Sequence, residues 1–188
     1  MSNAKTRHSN IFVTVGTTLF DPLVQVTSNK KFIDIVSSRF YNHLTIQYGK
    51  GKHEPFQTES VDDRCVTKKS VQCESYRFKS SLDQDMSKAN LIISHAGAGS
   101  IMEGLLQCKS RSNAKLIVVI NSRLMNNHQQ ELAGALESRG HLICLLEPEL
   151  LLQESTWEDK IDNWIGKPFP GGDGGADFAE LVDDCLGF

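Results

Sequence analysis

The chain has little of what a membrane protein, a metal site or a disulfide scaffold requires. Its five cysteines, Cys65, Cys73, Cys108, Cys144 and Cys185, are an odd, scattered set with no C-x-x-C pair. That excludes a disulfide framework or a zinc site of ordinary spacing and makes reduced thiols the expectation. The six histidines are equally dispersed, so no metal is expected. No apolar run approaches the roughly 18 residues of a membrane span. The first ten residues are polar and lack the apolar core of a secretion signal, so the cytosol is the expected compartment. Aromatics make up only 7% and no Lys/Arg stripe is interleaved with them, which argues against nucleic acid. A G-x-x-x-x-G-K-[ST] sequence is missing, and with it the P-loop NTPases.

What remains is the composition of one globular domain: 188 residues, 39% hydrophobic and 23% charged. The net charge of -3 hides an asymmetry. From Glu147 onward there are 11 acidic and 2 basic residues, whereas the rest holds 12 acidic and 18 basic. A mildly basic body suits a phosphate-bearing ligand or an anionic surface, although solvated charge is its commonest meaning.

Short β-branched runs at 11–15, 44–48, 91–94, 116–120 and 141–146 alternate with helical patterns at 21–39, 81–88, 98–109, 127–139, 156–165 and 176–186. Near-continuous apolar strands separated by helices predict an α/β fold, a single Rossmann-like domain whose parallel sheet is flanked by helices. Asn127 with Gln130, and Ser155 with Glu158, have capping-box spacing, and Gly140 stands where a left-handed cap should end a helix. Trp157, Ile161 and Trp164 recur at helical spacing and read as core packing. Residues 50–80 are irregular and polar, with a possible strand near 74–78. Expected divisions are a polar tail (1–10), the domain (11–170), and a Gly-rich linker with a last helix (171–188).

Ligands of parallel sheets bind beyond the carboxyl ends of the strands. Two glycine turns fall there: Val15-Gly16-Thr17-Thr18, and Ser94-His95-Ala96-Gly97-Ala98-Gly99-Ser100 leading into a helix. Gly97 and Gly99 permit close backbone approach, and the unpaired N–H groups of the helix start form an anion site suited to a diphosphate. Ser100 adds a hydroxyl donor and His95 a ring donor. Glu103, one turn later on the same face, can accept two hydrogen bonds from a ribose diol. The plainer alternative is a strand-to-helix turn whose Glu103 favours the helix N-terminus. Met102 occupies the place where the dinucleotide fingerprint wants Gly or Ala, and no acidic residue lies in 117–122, so an NAD enzyme is disfavoured. A third cluster, Asn126-Asn127-His128-Gln129-Gln130-Glu131, sets amides and an imidazole at another helix start, where they can read sugar hydroxyls or simply cap a solvated turn.

Together these segments resemble the donor-binding domain of GT-B glycosyltransferases. The run 93–103 is similar to the donor signature in the C-terminal domain of the bacterial peptidoglycan N-acetylglucosaminyltransferase and its eukaryotic single-domain cousins. With Phe12-Val13-Thr14-Val15-Gly16-Thr17-Thr18 and Asn127-His128-Gln129-Gln130-Glu131-Leu132-Ala133, it resembles the catalytic subunits of the UDP-N-acetylglucosamine transferase that adds the second sugar to dolichol-linked oligosaccharide. The likeness runs from about residue 11 to 170. It implies half of a GT-B fold, with Gly97, Gly99, Ser100 and His95 at the UDP diphosphate and Glu103 at the ribose. Gly16, Thr17 and Thr18 would face the diphosphate and acceptor side, and Asn127, His128 and Gln129 the N-acetylglucosamine ring. It further implies a membrane-anchored, acceptor-binding partner that recruits the chain to the cytosolic face of the endoplasmic reticulum. No cofactor or metal is implied. The sequence identifies no catalytic base; His128 is a candidate, and a residue of the partner is the alternative. A stand-alone transferase and a non-catalytic UDP-sugar-binding or scaffold protein are the rival expectations.

Overall fold

The computed structural model describes residues 10–56, 71–109, 111, 113–121 and 127–170. Six strands form one parallel sheet: β1 (Asn10–Thr14), β2 (His43–Gln47), β3 (Gln72–Tyr76), β4 (Leu91–His95), β5 (Lys115–Val119) and β6 (Ile143–Leu145). Their spatial order is β3-β2-β1-β4-β5-β6, the doubly wound arrangement in which the direction of winding reverses between β1 and β4. Strand pairing is in step across that reversal, with Thr14 opposite Gln47 on one side and Ser94 on the other.

Strand alternation divides the core in two. Ile11, Val13, Leu44, Ile46, Ile93, Ile117 and Val119 pack on one face with α1 (Asp21–Thr27) and α2 (Lys30–Ser38). Phe12, Ile92, Leu116 and Val118 face the other way, towards α3 (Asp83–Lys88), α4 (Ala98–Lys109) and α5 (Asn127–Ser138). β4 is buried along its whole length, as a central parallel strand covered on both faces must be.

Several expectations need correction. The helix expected over 21–39 is two helices, because the Asn29 side chain accepts from the Lys31 amide and caps a second start. The helix expected at 156–165 begins earlier, at Glu154, as the single turn α6 (Glu154–Thr156), and then widens into a π-helical turn, Trp157–Ile161. Ser155 lies inside that helix, so no capping box forms with Glu158. A 3-10 turn, Pro148–Leu152, precedes it. Trp157 and Ile161 do enter the core; the Trp157 indole donates to the Leu151 carbonyl at 2.9 Å and lies under the Arg39 guanidinium. Arg39 also pairs with Glu154 and Asp162, tying α2 to this segment.

Gly140 has φ +81° and ends α5 as expected. Its amide reaches the Glu137 carbonyl, and the next amide, that of His141, reaches back to Leu136. Both orphan carbonyls of the Schellman arrangement are thereby satisfied. The expected tail lies outside the described residues except for Asn10, which opens β1, and the expected linker and last helix (171–188) lie outside them entirely. Among the described residues, no helix is long and apolar enough to cross a membrane.

Candidate functional site

The sheet brings the two glycine turns together at the point where the strand order reverses. Gly16 follows β1 with φ +59°, a conformation that favours glycine. A β-carbon at Gly16 would stand 2.8 Å from His95 Cε1 and 3.4 Å from Ser100 Oγ. The turn after β1 therefore lies against the turn after β4, although 79 residues separate Gly16 from His95. Thr18 closes the first turn, its amide and hydroxyl both donating to the Val15 carbonyl at 3.2 and 2.7 Å. Thr17 is exposed at its tip.

His95 is the last residue of β4 and only 5% exposed. A β-carbon on Gly97 would come within 2.4 Å of its Nε2, so the ring lies between two glycines. Its Nδ1 is buried without a hydrogen-bond partner. Burial holds the imidazole below its ordinary range, with a Thr14 backbone group acting weakly the other way. The ring is therefore neutral at neutral pH. An unpaired buried ring nitrogen costs free energy in the absence of a ligand.

α4 starts at Ala98, immediately beyond, and its N-terminal amides open on the same space. Gly99 has nothing within 4 Å of where a β-carbon would stand. Packing thus gives no reason for glycine there. Glu103 is exposed one turn further on, with its carboxyl raised above the usual range by burial and then by Asp83.

α5 begins at Asn127, beyond the end of β5. The side chains of Asn127 and His128, including the expected Asn127 cap, lie outside the described residues. Gln129 is half-buried, and its Oε1 is the other buried side-chain atom without a partner among the described residues. Both orphaned atoms thus belong to residues that the sequence marks for ligand contact.

Two residues at this edge escape sequence reasoning. Asn121, 2% exposed just after β5, donates from Nδ2 to the Leu19 carbonyl at 3.3 Å and ties the β1–α1 loop to the strand two places away. Gln47, at the end of β2, is buried in a hydrogen-bonded ring with Thr14 and Gly16. The only signal for either is a polar residue at the carboxyl end of an apolar strand. Part of the irregular 50–80 region is also organised: Arg77 stacks on Tyr48 and donates to the Gly51 carbonyl and the Glu54 carboxylate, fastening the loop beside Gly16. Residues 57–70 lie outside the described residues. A cavity of about 250 Å³ at the opposite end of the strands, lined by His43, Thr45, Glu74, Asp85 and Lys88 among others, contains none of the candidate ligand-contacting residues.

Protonating His95 should destabilise the free chain. Its folded-state pKa is depressed below the unfolded value of about 6.5. The corresponding stability is present above about pH 6.5 and is lost as pH falls towards the folded pKa. The fall in Tm between about pH 7.5 and 5.5 should therefore be smaller in His95→Asn than in the parent chain. Equal slopes would show that the ring is not held neutral by its surroundings.

Residues 10–162 match the model of the glycosyltransferase family 28 C-terminal domain. The human UDP-N-acetylglucosamine transferase subunit ALG13 is 46% identical over 134 residues, covering 70% of this chain and 10% of that protein. The chain thus spans about a tenth of the length of that relative. The protein of the same name from Kluyveromyces lactis is 33% identical over 191 residues, 86% of this chain and 94% of that one. An NMR solution structure of ALG13 superposes with a TM-score of 0.65 at 22% identity, covering 96% of this chain and 98% of the other. That likeness carries the fold, the Rossmann-like half of a GT-B architecture. By the span of the family match, from β1 through the π-helical turn, the chain belongs to the glycosyltransferase family 28 C-terminal domain family.

Proposed function

We propose that this chain is the donor-binding subunit of a glycosyltransferase, moving N-acetylglucosamine from UDP-N-acetylglucosamine to N-acetylglucosaminyl-diphosphodolichol in the second step of lipid-linked oligosaccharide assembly. The observation that carries the reading is the convergence of Gly16, His95 and Ser100 where the strand order reverses, with buried, unpaired side-chain atoms on His95 and Gln129. The relatives' name, a UDP-N-acetylglucosamine transferase subunit, supports both the donor and the need for a second chain.

In this reading the α4 N-terminus, Gly97, Gly99 and Ser100 hold the diphosphate, with His95 beside it. Glu103 holds the ribose diol, and Asn127, His128 and Gln129 read the sugar. Gly16, Thr17 and Thr18 face the diphosphate and the acceptor side of the cleft. The acceptor hydroxyl attacks the anomeric carbon, the bond from that carbon to the diphosphate oxygen breaks with inversion, and UDP departs with the electron pair. A β1,4 link results. Fixed backbone donors stabilise the leaving diphosphate without reorganising as its charge grows. The hydroxyl proton passes to a base, for which His128 is this chain's candidate and a partner residue the alternative. The acceptor half belongs to a membrane-anchored partner that brings the chain to the cytosolic face of the endoplasmic reticulum.

Labelled N-acetylglucosamine transfer to a dolichol-diphosphate N-acetylglucosamine acceptor, with and without the membrane partner, tests this. Activity is expected only in the reconstituted pair. Robust turnover by the chain alone would overturn the split enzyme. UDP-sugar binding without turnover in a confirmed complex would leave a non-catalytic binding protein.

A further inference from the structure

Gln47 lies at the carboxyl end of β2, 1% exposed. Its Nε2 donates to the carbonyls of Gly16 and Arg77, both at 2.8 Å. Its Oε1 accepts from the Thr14 hydroxyl at 2.7 Å and from the Val15 amide at 3.2 Å. A carboxamide offers two N–H donors and two oxygen lone pairs, so these four partners saturate it. The Thr14 hydroxyl also accepts from the Gly16 amide at 3.1 Å, closing a ring through the turn.

This ring sets the direction of the peptide groups around Gly16. The Gly16 carbonyl is drawn inward onto the Gln47 amide, away from the space shared with His95 and Ser100. Turned outward, that carbonyl would present the negative end of its dipole to a phosphate. The turn is also held from behind, since a β-carbon on Gly49 would stand 2.8 Å from the Gly16 oxygen and 3.1 Å from that of Thr18. Gly49 itself has φ +56° and belongs to the loop that Arg77 fastens. Donors fixed before binding need no reordering when charge arrives.

We propose that Gln47 is a positioning residue for the diphosphate end of the donor, holding the Gly16 carbonyl away from the ligand so that the turn accepts the second phosphate. The inference rests on the donor-binding reading above. Gln47 is buried behind the turn and does not itself touch the ligand. Its influence should therefore follow the second phosphate and not the nucleoside.

The test measures the affinity of the full chain for UDP by calorimetry, and for UMP by competition. The variants are Gln47→Leu, Thr14→Val and Thr14→Ser, with Ile35→Val as a core control remote from the turn. Gln47→Leu and Thr14→Val should weaken UDP by about tenfold or more, the scale of a hydrogen-bond network to a charged group, while UMP changes by less than about twofold. Thr14→Ser, which keeps the hydroxyl, should bind UDP like the parent. Ile35→Val should lower Tm without changing either affinity, separating position from stability. Should Gln47→Leu fail to fold, Thr14→Val carries the test, because it removes the ring's hydroxyl with little change of shape. Unchanged UDP affinity in folded Thr14→Val, or equal losses for UDP and UMP, would overturn the positioning role and leave the donor site standing. A parent chain that binds no UDP would remove the donor-binding reading and this inference together.

Discussion

Gly16→Ala should cost the fold about 2–6 kcal/mol and, in the donor-binding reading, most of the nucleotide affinity. Two separate penalties add. A non-glycine residue at φ +59° carries backbone strain of about 1–3 kcal/mol. The new β-carbon would also meet His95 Cε1 at 2.8 Å, and overpacking a rigid, buried group costs about 1–3 kcal/mol more. The ring already lies against Gly97, where an added β-carbon would stand 2.4 Å from Nε2. Gly99 provides the contrast. It lies in the first turn of α4 and nothing stands within 4 Å of a β-carbon there. Gly99→Ala should therefore raise stability, by up to about 1 kcal/mol of helix propensity, while weakening UDP. Thermal unfolding and UDP titration of both variants check the pair. Equal stability changes in the two would refute the wedged-ring account, and unchanged UDP affinity in Gly99→Ala would remove close phosphate approach at that position.

Glu103→Ala should weaken UDP by about 1.5–3 kcal/mol if the carboxylate holds the ribose diol. Unchanged affinity with the fold intact would remove that assignment. The neighbourhood adds a dependence on pH. Burial and Asp83 raise the Glu103 carboxyl above its ordinary range, so it takes up a proton at higher pH than a free glutamate. UDP affinity should fall as pH drops through that raised value, and Glu103→Gln should lose this acid limb. Stability moves in the opposite sense. A raised folded-state pKa favours the fold below the unfolded value of about 4.3 and penalises it above. Glu103→Gln should therefore raise Tm at neutral pH even as it weakens the nucleotide. The same measurement in an Asp83→Asn background should show a smaller gain, because part of the repulsion is already gone.

The sequence made the central strands legible because burial on both faces leaves them almost wholly apolar: Leu91-Ile92-Ile93 and Leu116-Ile117-Val118-Val119 admit few other readings. β3 was harder. Gln72-Cys73-Glu74-Ser75-Tyr76 is an edge strand with no fully buried residue, and its expected position fell two residues late. Helical spacing ran on past Ser28 and Asn29, since a capping side chain within an apolar pattern looks like one more polar position. Among the candidate site residues, the glycine turns were readable because glycines directly after an apolar strand stand out locally. Gln47 and Asn121 were not, because their meaning lies in partners 31 and 102 residues away, and no local pattern records such distances. The juxtaposition of Gly16 with His95 likewise follows from strand order and not from either motif alone.

β1 is the first strand in the chain and stands in the middle of the sheet, between β2 and β4. A ribosome delivers β1 and β2 early, but the strand completing the other side of β1 arrives only with Leu91–His95. Parallel pairing across such intervals closes long loops and is intrinsically slow. Until β4 docks, the Gly16 turn has neither His95 nor Ser100 to rest against, and α4 has no fixed place beside it. Assembly of this turn therefore waits on the delivery and docking of β4. A ligand of this turn should report on the docking of β4 during synthesis, ahead of β5 and β6, and chains truncated before β4 should be indifferent to it.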